Sequence, residues 1–280
     1  MPKPLRRAGV MGWPIDHSLS PRLHRFWLKA YRLEGAYDAY AVRPDGLADT
    51  LRSLAAQGLC GVNLTIPHKE TALTLMDALS PEASRIGAVN LVSVDPQGRL
   101  CGHNTDAFGF AQNLLSCGFE RTRGTAVVLG AGGACRAVLV ALQDMGFTTI
   151  VLANRTQARA ETAAQALSSP SCPIHVVAWD DLSEALSVAD LLVNTTPLGM
   201  AGQPEIVLDL APLPQTASVA DVVYAPLDTT LLRRSRARGL KTIDGLGMLL
   251  HQARPSFKAF FGQDPDVSQA LREAVLKEVG

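Results

Sequence analysis

An apolar strand, a glycine-rich turn and a helix follow one another directly near the middle of the chain. Residues 126–129 form the apolar run, and residues 134–145 form the helical stretch. Glycines between a strand and a helix let the backbone approach a pyrophosphate, which the free N–H groups of the helix can bind. The third glycine of the usual fingerprint is replaced by Cys135. This order still predicts a dinucleotide site in an α/β domain, formed by Gly130, Ala131, Gly132, Gly133 and Ala134.

The end of the next predicted strand, residues 149–153, indicates which dinucleotide binds. An NAD site commonly carries Asp or Glu there, which holds the ribose 2′-hydroxyl. This chain has Asn154, Arg155 and Thr156 instead, followed by Arg159. Guanidinium groups make charge-assisted hydrogen bonds to phosphate, so the pattern predicts NADP. The alternative is a solvated helix start with ordinary surface arginines.

Strand-like and helix-like segments alternate along all 280 residues, which is typical of an α/β protein with two domains. Strands are predicted at residues 8–11, 37–42, 61–66, 88–94, 100–102, 126–129, 149–153, 174–178, 191–194, 219–223 and 241–243. Helices are predicted at residues 21–33, 45–57, 68–79, 106–117 and 134–145, and through most of 247–280. The helices after the last strand must bury their apolar side, so we expect part of them to pack on the first domain.

The run 63–69 places polar side chains around the end of a strand. Asn63 and Thr65 alternate with apolar neighbours, as in a strand with two unlike faces. Pro67 is suited to the first turn of a helix, which predicts that Lys69 lies near a helix N-terminus. The helix dipole disfavours a cation there, so a nearby anion or a catalytic role is expected for Lys69.

Composition excludes several classes of function. Lys and Arg together number 26, as do Asp and Glu, and the formal net charge is zero. We therefore expect no nucleic-acid partner and no anionic membrane partner. The apolar runs are shorter than a membrane helix requires, and no signal-peptide pattern follows the first residues. The five cysteines are widely spaced, so we expect no metal site and incidental thiols in the cytoplasm.

A series of short motifs runs along the chain in a specific order. They are residues 12–15, 18–21, 63–69, 87–90, 102–106, 130–134, 154–156, 194–200, 221–224 and 244–253. In this order and spacing they resemble the shikimate dehydrogenase family, NADP-dependent enzymes of the pathway to chorismate and the aromatic amino acids. The resemblance implies a substrate domain at residues 1–105, completed by helices at about 248–280. It also implies a Rossmann-like NADP domain at residues 106–247, with the active-site cleft between the two.

The resemblance also implies the site residues. The carboxylate of shikimate would bind Ser18 and Ser20. The ring hydroxyls would contact Thr65, Lys69, Asn90, Asp106 and Gln252, and Tyr224 would line the substrate site. Val222 and Gly245 would lie near the nicotinamide. Several of these residues have plainer interpretations, since Ser20 and Asp106 are also suited to cap helices.

The implied reaction is the reversible reduction of 3-dehydroshikimate to shikimate by NADPH. Lys69 would exchange the proton with the reacting oxygen, and Asp106 would bind the same hydroxyl. His17, His68 and His103 are weaker acid–base candidates. A quinate/shikimate dehydrogenase is the main alternative, although Ser20 leaves more room than the threonine typical of quinate-preferring relatives. A non-catalytic NADP-binding sensor is the other alternative. The sequence leaves a monomer and a homodimer equally open.

Overall fold

The structure of the protein is a computed structural model that describes residues 5–120 and 123–277. These residues divide into two compact units, each with its own six-stranded sheet. The first unit contains residues 5–105 and 249–277, and the second is Asp106–Met248. The predicted α/β fold is confirmed. The outermost ends of the predicted domains, residues 1–4 and 278–280, lie outside the described residues.

The first unit is built on a mixed sheet. Its strands are β1 (Arg6–Gly12), β2 (Gly35–Ala41), β3 (Leu59–Leu64), β4 (Ala78–Leu79), β5 (Leu91–Val94) and β6 (Leu100–His103). The strand order is β2-β1-β3-β5-β6-β4, with β1, β2 and β3 parallel and β5 antiparallel to both β3 and β6. Its helices are α1 (Ser20–Ala30), α2 (Leu47–Arg52), α3 (Pro81–Ile86), most of α9 (Leu246–Phe261) and α10 (Gln269–Leu276).

Aromatic side chains join α1 and α9 in the core of the first unit. The rings of Trp27 and Phe257 lie 5.2 Å apart edge to face, and both side chains are buried. His24 stacks on Tyr37 with 3.8 Å between ring centroids. Buried aromatic rings contribute large apolar contact areas, so this cluster holds the C-terminal helix on the sheet of the first unit.

The second unit is a parallel sheet of the doubly wound type. Its strands are β7 (Thr125–Leu129), β8 (Thr149–Ala153), β9 (Ile174–Val177), β10 (Leu191–Asn194), β11 (Ser218–Asp221) and β12 (Lys241–Ile243). Its helices are α4 (Asp106–Ser116), α5 (Gly133–Asp144), α6 (Gln157–Leu167), α7 (Leu182–Ser187) and α8 (Thr230–Ala237). The order β12-β11-β10-β7-β8-β9 is that of the dinucleotide-binding fold, with the order reversing between β7 and β10.

The helix predicted over residues 68–79 is wrong. The chain forms only a 3-10 helix at Thr71–Leu75 and is extended from Met76 onward. Ala78 and Leu79 then pair with β6, and the Asp77 carboxylate accepts the backbone N–H of Leu100. Tertiary pairing of the strand outweighs the helical spacing of the apolar residues. Lys69 therefore lies before a short 3-10 helix, and the argument from the dipole of a long helix does not apply to it.

Other differences are local. The helix predicted at residues 45–57 is limited to a 3-10 turn at Pro44–Gly46 and α2, and the strand predicted at residues 88–94 begins at Leu91. The five cysteines all lie among the described residues, and none forms a disulfide. Among the helices that the structure describes, not one combines the length and the apolarity that a membrane crossing requires.

Candidate active site

Ser18 and Ser20 lie together at the start of α1. The hydroxyl oxygen of Ser18 accepts the backbone N–H of Ser20 at 3.4 Å, and Ser20 is 8% exposed. Ser20 is the first residue of α1 rather than its N-cap, which is Leu19 and makes no side-chain hydrogen bond. The first N–H groups of a helix lack intrahelical acceptors, so two hydroxyl groups beside them can receive a carboxylate.

Thr65 lies next to this segment, at the carboxyl end of β3. Its backbone N–H donates to Met11 O at 2.9 Å. A methyl group added at Gly12 would come within 2.5 Å of the Thr65 side chain and 2.9 Å of Ile15. Because Gly12 has no side chain, the Thr65 side chain can lie close to the loop that connects Gly12 with Ser18.

The backbone of Lys69 is fixed beside the start of β5. Its carbonyl oxygen accepts the N–H of Val89 at 2.8 Å, and its side chain is half-buried. The neighbouring His68 points inward, where its Nε2 lies 2.8 Å from Val42 O, and burial lowers the pKa of its imidazole. The His68 imidazole is therefore hydrogen-bonded in the core, and His68 was already one of the weaker acid–base candidates.

Asn90, Thr105 and Gln252 form one hydrogen-bonded group in the first unit. Asn90 Nδ2 donates to Thr105 Oγ1 at 2.9 Å and to Gln252 Oε1 at 3.4 Å. The backbone N–H of Thr105 donates to Asn90 Oδ1 at 2.8 Å, and Thr105 Oγ1 lies 3.3 Å from Gln252 Oε1. The sequence analysis named Asn90 and Gln252 as candidate site residues but did not name Thr105.

Asn63, the first polar residue of the run 63–69, is a core residue. Its Oδ1 accepts the Tyr37 hydroxyl at 2.8 Å, and its Nδ2 donates to Asn90 O at 3.0 Å and to Ser256 Oγ at 2.8 Å. Asn63 is 7% exposed. These bonds connect β2, β3 and α9, so Asn63 supports the group formed by Asn90 and Gln252.

The glycine-rich turn of the second unit is compact on one side and open on the other. Gly130 has φ +108°, and a methyl group there would lie 2.6 Å from Thr195 Oγ1. A methyl group added at Gly132 would meet no heavy atom within 4 Å. Gly132 is the N-cap of α5, and as a glycine it has no side chain to accept the first N–H groups of the helix. The turn thus leaves space beside the helix N-terminus, which fits the pyrophosphate of a dinucleotide.

The residues predicted to bind the 2′-phosphate follow β8. Asn154 Nδ2 donates to Thr156 O at 2.8 Å, and Thr156 is the N-cap of α6 without a side-chain cap bond. Arg155 and Arg159 are exposed. Residues 154–159 include two arginines and no carboxylate, so this segment has no negative side chain that would repel a phosphate.

Val222 and Gly245 are brought together at the carboxyl ends of β11 and β12. A methyl group at Gly245 would lie 2.4 Å from Val222 O, so glycine permits this close approach. The backbone N–H of Val222 donates to Asn194 O at 3.0 Å. The two positions thus lie on neighbouring loops that follow adjacent strands, and their place near the nicotinamide stays a prediction.

A buried polar network that the sequence did not reveal supports these loops. Asp221 Oδ1 accepts Asn194 Nδ2 and the Val223 N–H, each at 3.0 Å, and Oδ2 accepts the Thr229 hydroxyl at 2.8 Å. Burial raises the pKa of Asp221 to about 6, although its three hydrogen bonds act in the opposite direction. The signal in the sequence was a single Asp at the end of an apolar strand.

The two remaining predicted residues belong to the second unit. Asp106 is the first residue of α4 and is 4% exposed. Tyr224 is half-buried, and burial raises the pKa of its hydroxyl. The roles of both residues at the substrate stay predictions.

Family models match most of the chain. Residues 10–92 match the family described as the shikimate dehydrogenase substrate binding domain. Residues 112–212 match the shikimate / quinate 5-dehydrogenase family, and residues 245–276 match the shikimate 5′-dehydrogenase C-terminal domain. A shikimate dehydrogenase (NADP(+)) of Rhodospirillum rubrum is 54% identical over 274 residues, which is 97% of each chain.

Two solved structures are similar over nearly their whole lengths. The shikimate 5-dehydrogenase of Thermus thermophilus, in complex with NADP(H) and shikimate, is 40% identical with a TM-score of 0.87, covering 97% of this chain and 98% of that one. The quinate dehydrogenase of Corynebacterium glutamicum, in complex with NAD, is 32% identical with a TM-score of 0.90, covering 97% and 99%. On this sequence and structural similarity, the chain belongs to the shikimate dehydrogenase family.

Proposed function

We propose that this protein catalyses the reversible, NADPH-dependent reduction of 3-dehydroshikimate to shikimate. The observation that carries the proposal is the group formed by Asn90, Thr105 and Gln252. It concentrates amide and hydroxyl groups in the unit that matches the substrate binding domain. Buried polar groups of this kind suit a ligand with several ring hydroxyls, because each hydroxyl needs a partner when it leaves water.

The carboxylate and the ring of the substrate require different partners. Ser18 and Ser20, beside the N-terminus of α1, supply hydroxyl groups and backbone N–H groups for the carboxylate. Thr65, Asn90 and Gln252 supply polar groups for the ring hydroxyls. Tyr224 is proposed to line the same site.

Lys69 and Asp106 are proposed to manage the proton. In the reduction, a hydride adds to the carbonyl carbon and the carbonyl oxygen becomes an alkoxide. The Lys69 ammonium donates a proton to that oxygen, and Asp106 accepts a hydrogen bond from the hydroxyl that results. In the oxidation the same proton returns to Lys69. NADPH, when bound, supplies the hydride.

NADP is proposed as the cofactor, held by the second unit. Gly130, Ala131, Gly132, Gly133 and Ala134 would receive the pyrophosphate, where the space beside Gly132 fits it. Asn154, Arg155, Thr156 and Arg159 would surround the 2′-phosphate. Val222 and Gly245 would contact the nicotinamide. A monomer or homodimer in the cytoplasm stays a prediction.

The similarity to a quinate dehydrogenase bound to NAD keeps a second candidate, a quinate/shikimate dehydrogenase. One assay distinguishes the candidates: initial rates by NAD(P)H absorbance with shikimate or quinate, each with NADP or NAD, and with no substrate. The highest kcat/KM is expected for shikimate with NADP. Faster turnover of quinate with NAD would favour the second candidate. If all four pairs gave no turnover while NADP still bound, the chain would be a non-catalytic binder.

A further inference from the structure

We propose that Asn113 is a positioning residue for the nicotinamide end of the cofactor site, where its amide holds the backbone beside Gly245. This inference rests on the proposed function, which assigns Val222 and Gly245 to the nicotinamide. Asn113 lies on α4, outside the residues proposed to touch substrate or cofactor. It acts through the connection between β12 and α9, which belongs to the same unit.

Asn113 occupies the buried face of α4, where its neighbours are apolar. The buried residues that follow Asp106 on this helix are Gly109, Phe110, Asn113 and Leu114, and Asn113 is 5% exposed. Asparagine is a weaker helix former than leucine, and a buried amide costs free energy unless its polar atoms are hydrogen-bonded. Asn113 is therefore stabilised at this position by the contacts of its amide rather than by helix propensity or apolar burial.

Both ends of the Asn113 amide face the connection between β12 and α9. Nδ2 donates to Asp244 O at 2.8 Å. A carbonyl oxygen can only accept, so this bond also fixes which atom of the amide is the nitrogen. Oδ1 then lies on the side of Gly247, where an added methyl group would come within 1.8 Å of it. The first turn of α9 therefore packs directly on the Asn113 amide.

Gly245 lies between these two points of contact. It follows Asp244, whose carboxylate accepts the backbone N–H of the first residue of α9 at 3.1 Å and so closes the turn into the helix. A methyl group at Gly245 would lie 2.4 Å from Val222 O, so the two loops leave no room for a side chain. Because Asp244 and Gly247 both contact Asn113, the position of this loop depends on the amide.

The consequence concerns one end of the cofactor. NADP is proposed to bind through its pyrophosphate at the glycine turn and through its 2′-phosphate at Arg155 and Arg159, which are far along the chain from Gly245. Loss of the Asn113 amide should therefore weaken the contacts to the nicotinamide and leave those to the adenosine end unchanged. Hydride transfer depends on the placement of the reacting ring, so a small shift of this loop also slows the reaction.

Asn113→Ala is the test, and two titrations without substrate are its first readout. The Kd of NADP should rise roughly three- to tenfold, as expected when about one hydrogen bond is lost. The Kd of 2′,5′-ADP, which carries the 2′-phosphate and lacks the nicotinamide, should stay within about twofold of wild type. The kcat for shikimate oxidation should fall roughly tenfold, while the KM for shikimate should change less than about twofold.

Gln143→Ala is the matched control. Gln143 Nε2 donates to Leu167 O at 2.6 Å, which is also a bond from a side-chain amide to a backbone carbonyl in the second unit. It lies near the C-terminal end of α5, away from the glycine turn at the N-terminus of that helix. Gln143→Ala should therefore lose stability without changing either dissociation constant or kcat.

Gly247→Ala reaches the same contact from the other side and serves as the test if Asn113→Ala fails to fold. Its methyl group would meet Asn113 Oδ1, so it should produce the same difference between NADP and 2′,5′-ADP. In the double variant the amide is absent, so Gly247→Ala should add little to the effect of Asn113→Ala.

Two results would overturn the inference. One is an unchanged Kd of NADP in a folded variant, and the other is an equal rise of the dissociation constants of NADP and 2′,5′-ADP. Absence of shikimate turnover in the wild type would instead overturn the proposed function, while the two titrations would still test the role of Asn113.

Discussion

The amide of Asn194 donates a hydrogen bond of 3.0 Å to the buried carboxylate of Asp221. These residues end β10 and β11, which are adjacent in the sheet of the second unit. The same carboxylate accepts the hydroxyl of Thr229, which in turn accepts the Leu232 N–H as the N-cap of α8. One carboxylate therefore fixes two strand ends and the start of a helix next to Val222.

Asp221→Ala should lower the free energy of unfolding by about 3 kcal/mol. The substitution leaves one N–H of the Asn194 amide and the backbone N–H of Val223 buried without their acceptor. Urea unfolding followed by circular dichroism measures the change. Asp221→Asn should cost less than half as much, because its carbonyl oxygen can replace Oδ1 and its amide can donate to Thr229. Asp209→Ala, at an exposed aspartate of the same unit, is the control; a loss there as large as in Asp221→Ala would contradict the network's role.

Lys69→Ala should lower kcat by about 10²-fold or more while leaving shikimate affinity largely unchanged. The physical reason is the loss of the proposed proton donor in the reduction. Steady-state kinetics give kcat, and isothermal titration calorimetry gives the affinity. Lys29→Ala removes an exposed lysine at the end of α1 and should have wild-type kinetics. Unchanged turnover in Lys69→Ala would remove this residue from the mechanism.

Arg155→Asp should reduce kcat/KM for NADPH by roughly 10- to 100-fold, the size expected for one lost charge-assisted hydrogen bond. The kcat/KM for NADH should not fall, because NADH lacks the 2′-phosphate. The ratio of the two values is the measurement. Arg234→Asp makes the same charge change at an exposed position on α8 of the same unit. An equal loss with both cofactors would show that Arg155 does not select NADP.

The two ends of the glycine turn should respond differently to a methyl group. Gly130→Ala should destabilise the protein by about 1–3 kcal/mol, because φ +108° and the contact with Thr195 both oppose a side chain. Gly132→Ala should unfold at the wild-type temperature but raise the KM for NADP, since its methyl group would enter the space proposed for the pyrophosphate. Thermal unfolding and cofactor titration separate the effects. A normal KM in Gly132→Ala would place the pyrophosphate elsewhere.

His24 should make the protein less stable in mild acid. Burial lowers the pKa of His24 from 6.5 to about 3, and its Nδ1 has no hydrogen-bond partner among the residues that the structure describes. The unfolded chain therefore binds a proton below pH 6.5 that the folded protein binds only near pH 3. The contribution to stability is complete above pH 6.5 and is lost as the pH falls. At pH 5 the loss is about 2 kcal/mol relative to pH 7.

Unfolding curves of the wild type and His24→Phe at both pH values check this. Phenylalanine retains a ring against Tyr37 and does not titrate. The pH dependence of stability that Asp221 contributes has the opposite sign, because its raised pKa of about 6 makes its stabilising contribution fall as the pH rises. This contribution is common to both proteins and cancels in the difference between them. Equal pH dependence of the two proteins would contradict the assignment to His24.

Local sequence was sufficient to predict the elements whose signals are themselves local. The apolar run of β7, the glycines after it and the helix α5 lie next to one another in the chain, so the strand and the helix on either side of the turn were predicted to within one residue. The preference for NADP was also predicted from a local pattern, because residues 154–159 include two arginines and no carboxylate. The family followed from the order of such motifs.

Tertiary structure decided what depends on distant parts of the chain. The apolar spacing after Lys69 indicated a helix, but pairing of β4 with β6 holds that segment extended. Thr105 gained its place from Asn90 and Gln252, which are 15 and 147 residues away. Asp221 gained its raised pKa from burial and from strands brought together in the sheet. Such contacts are long-range hydrogen bonds and burial, which a local sequence pattern cannot encode.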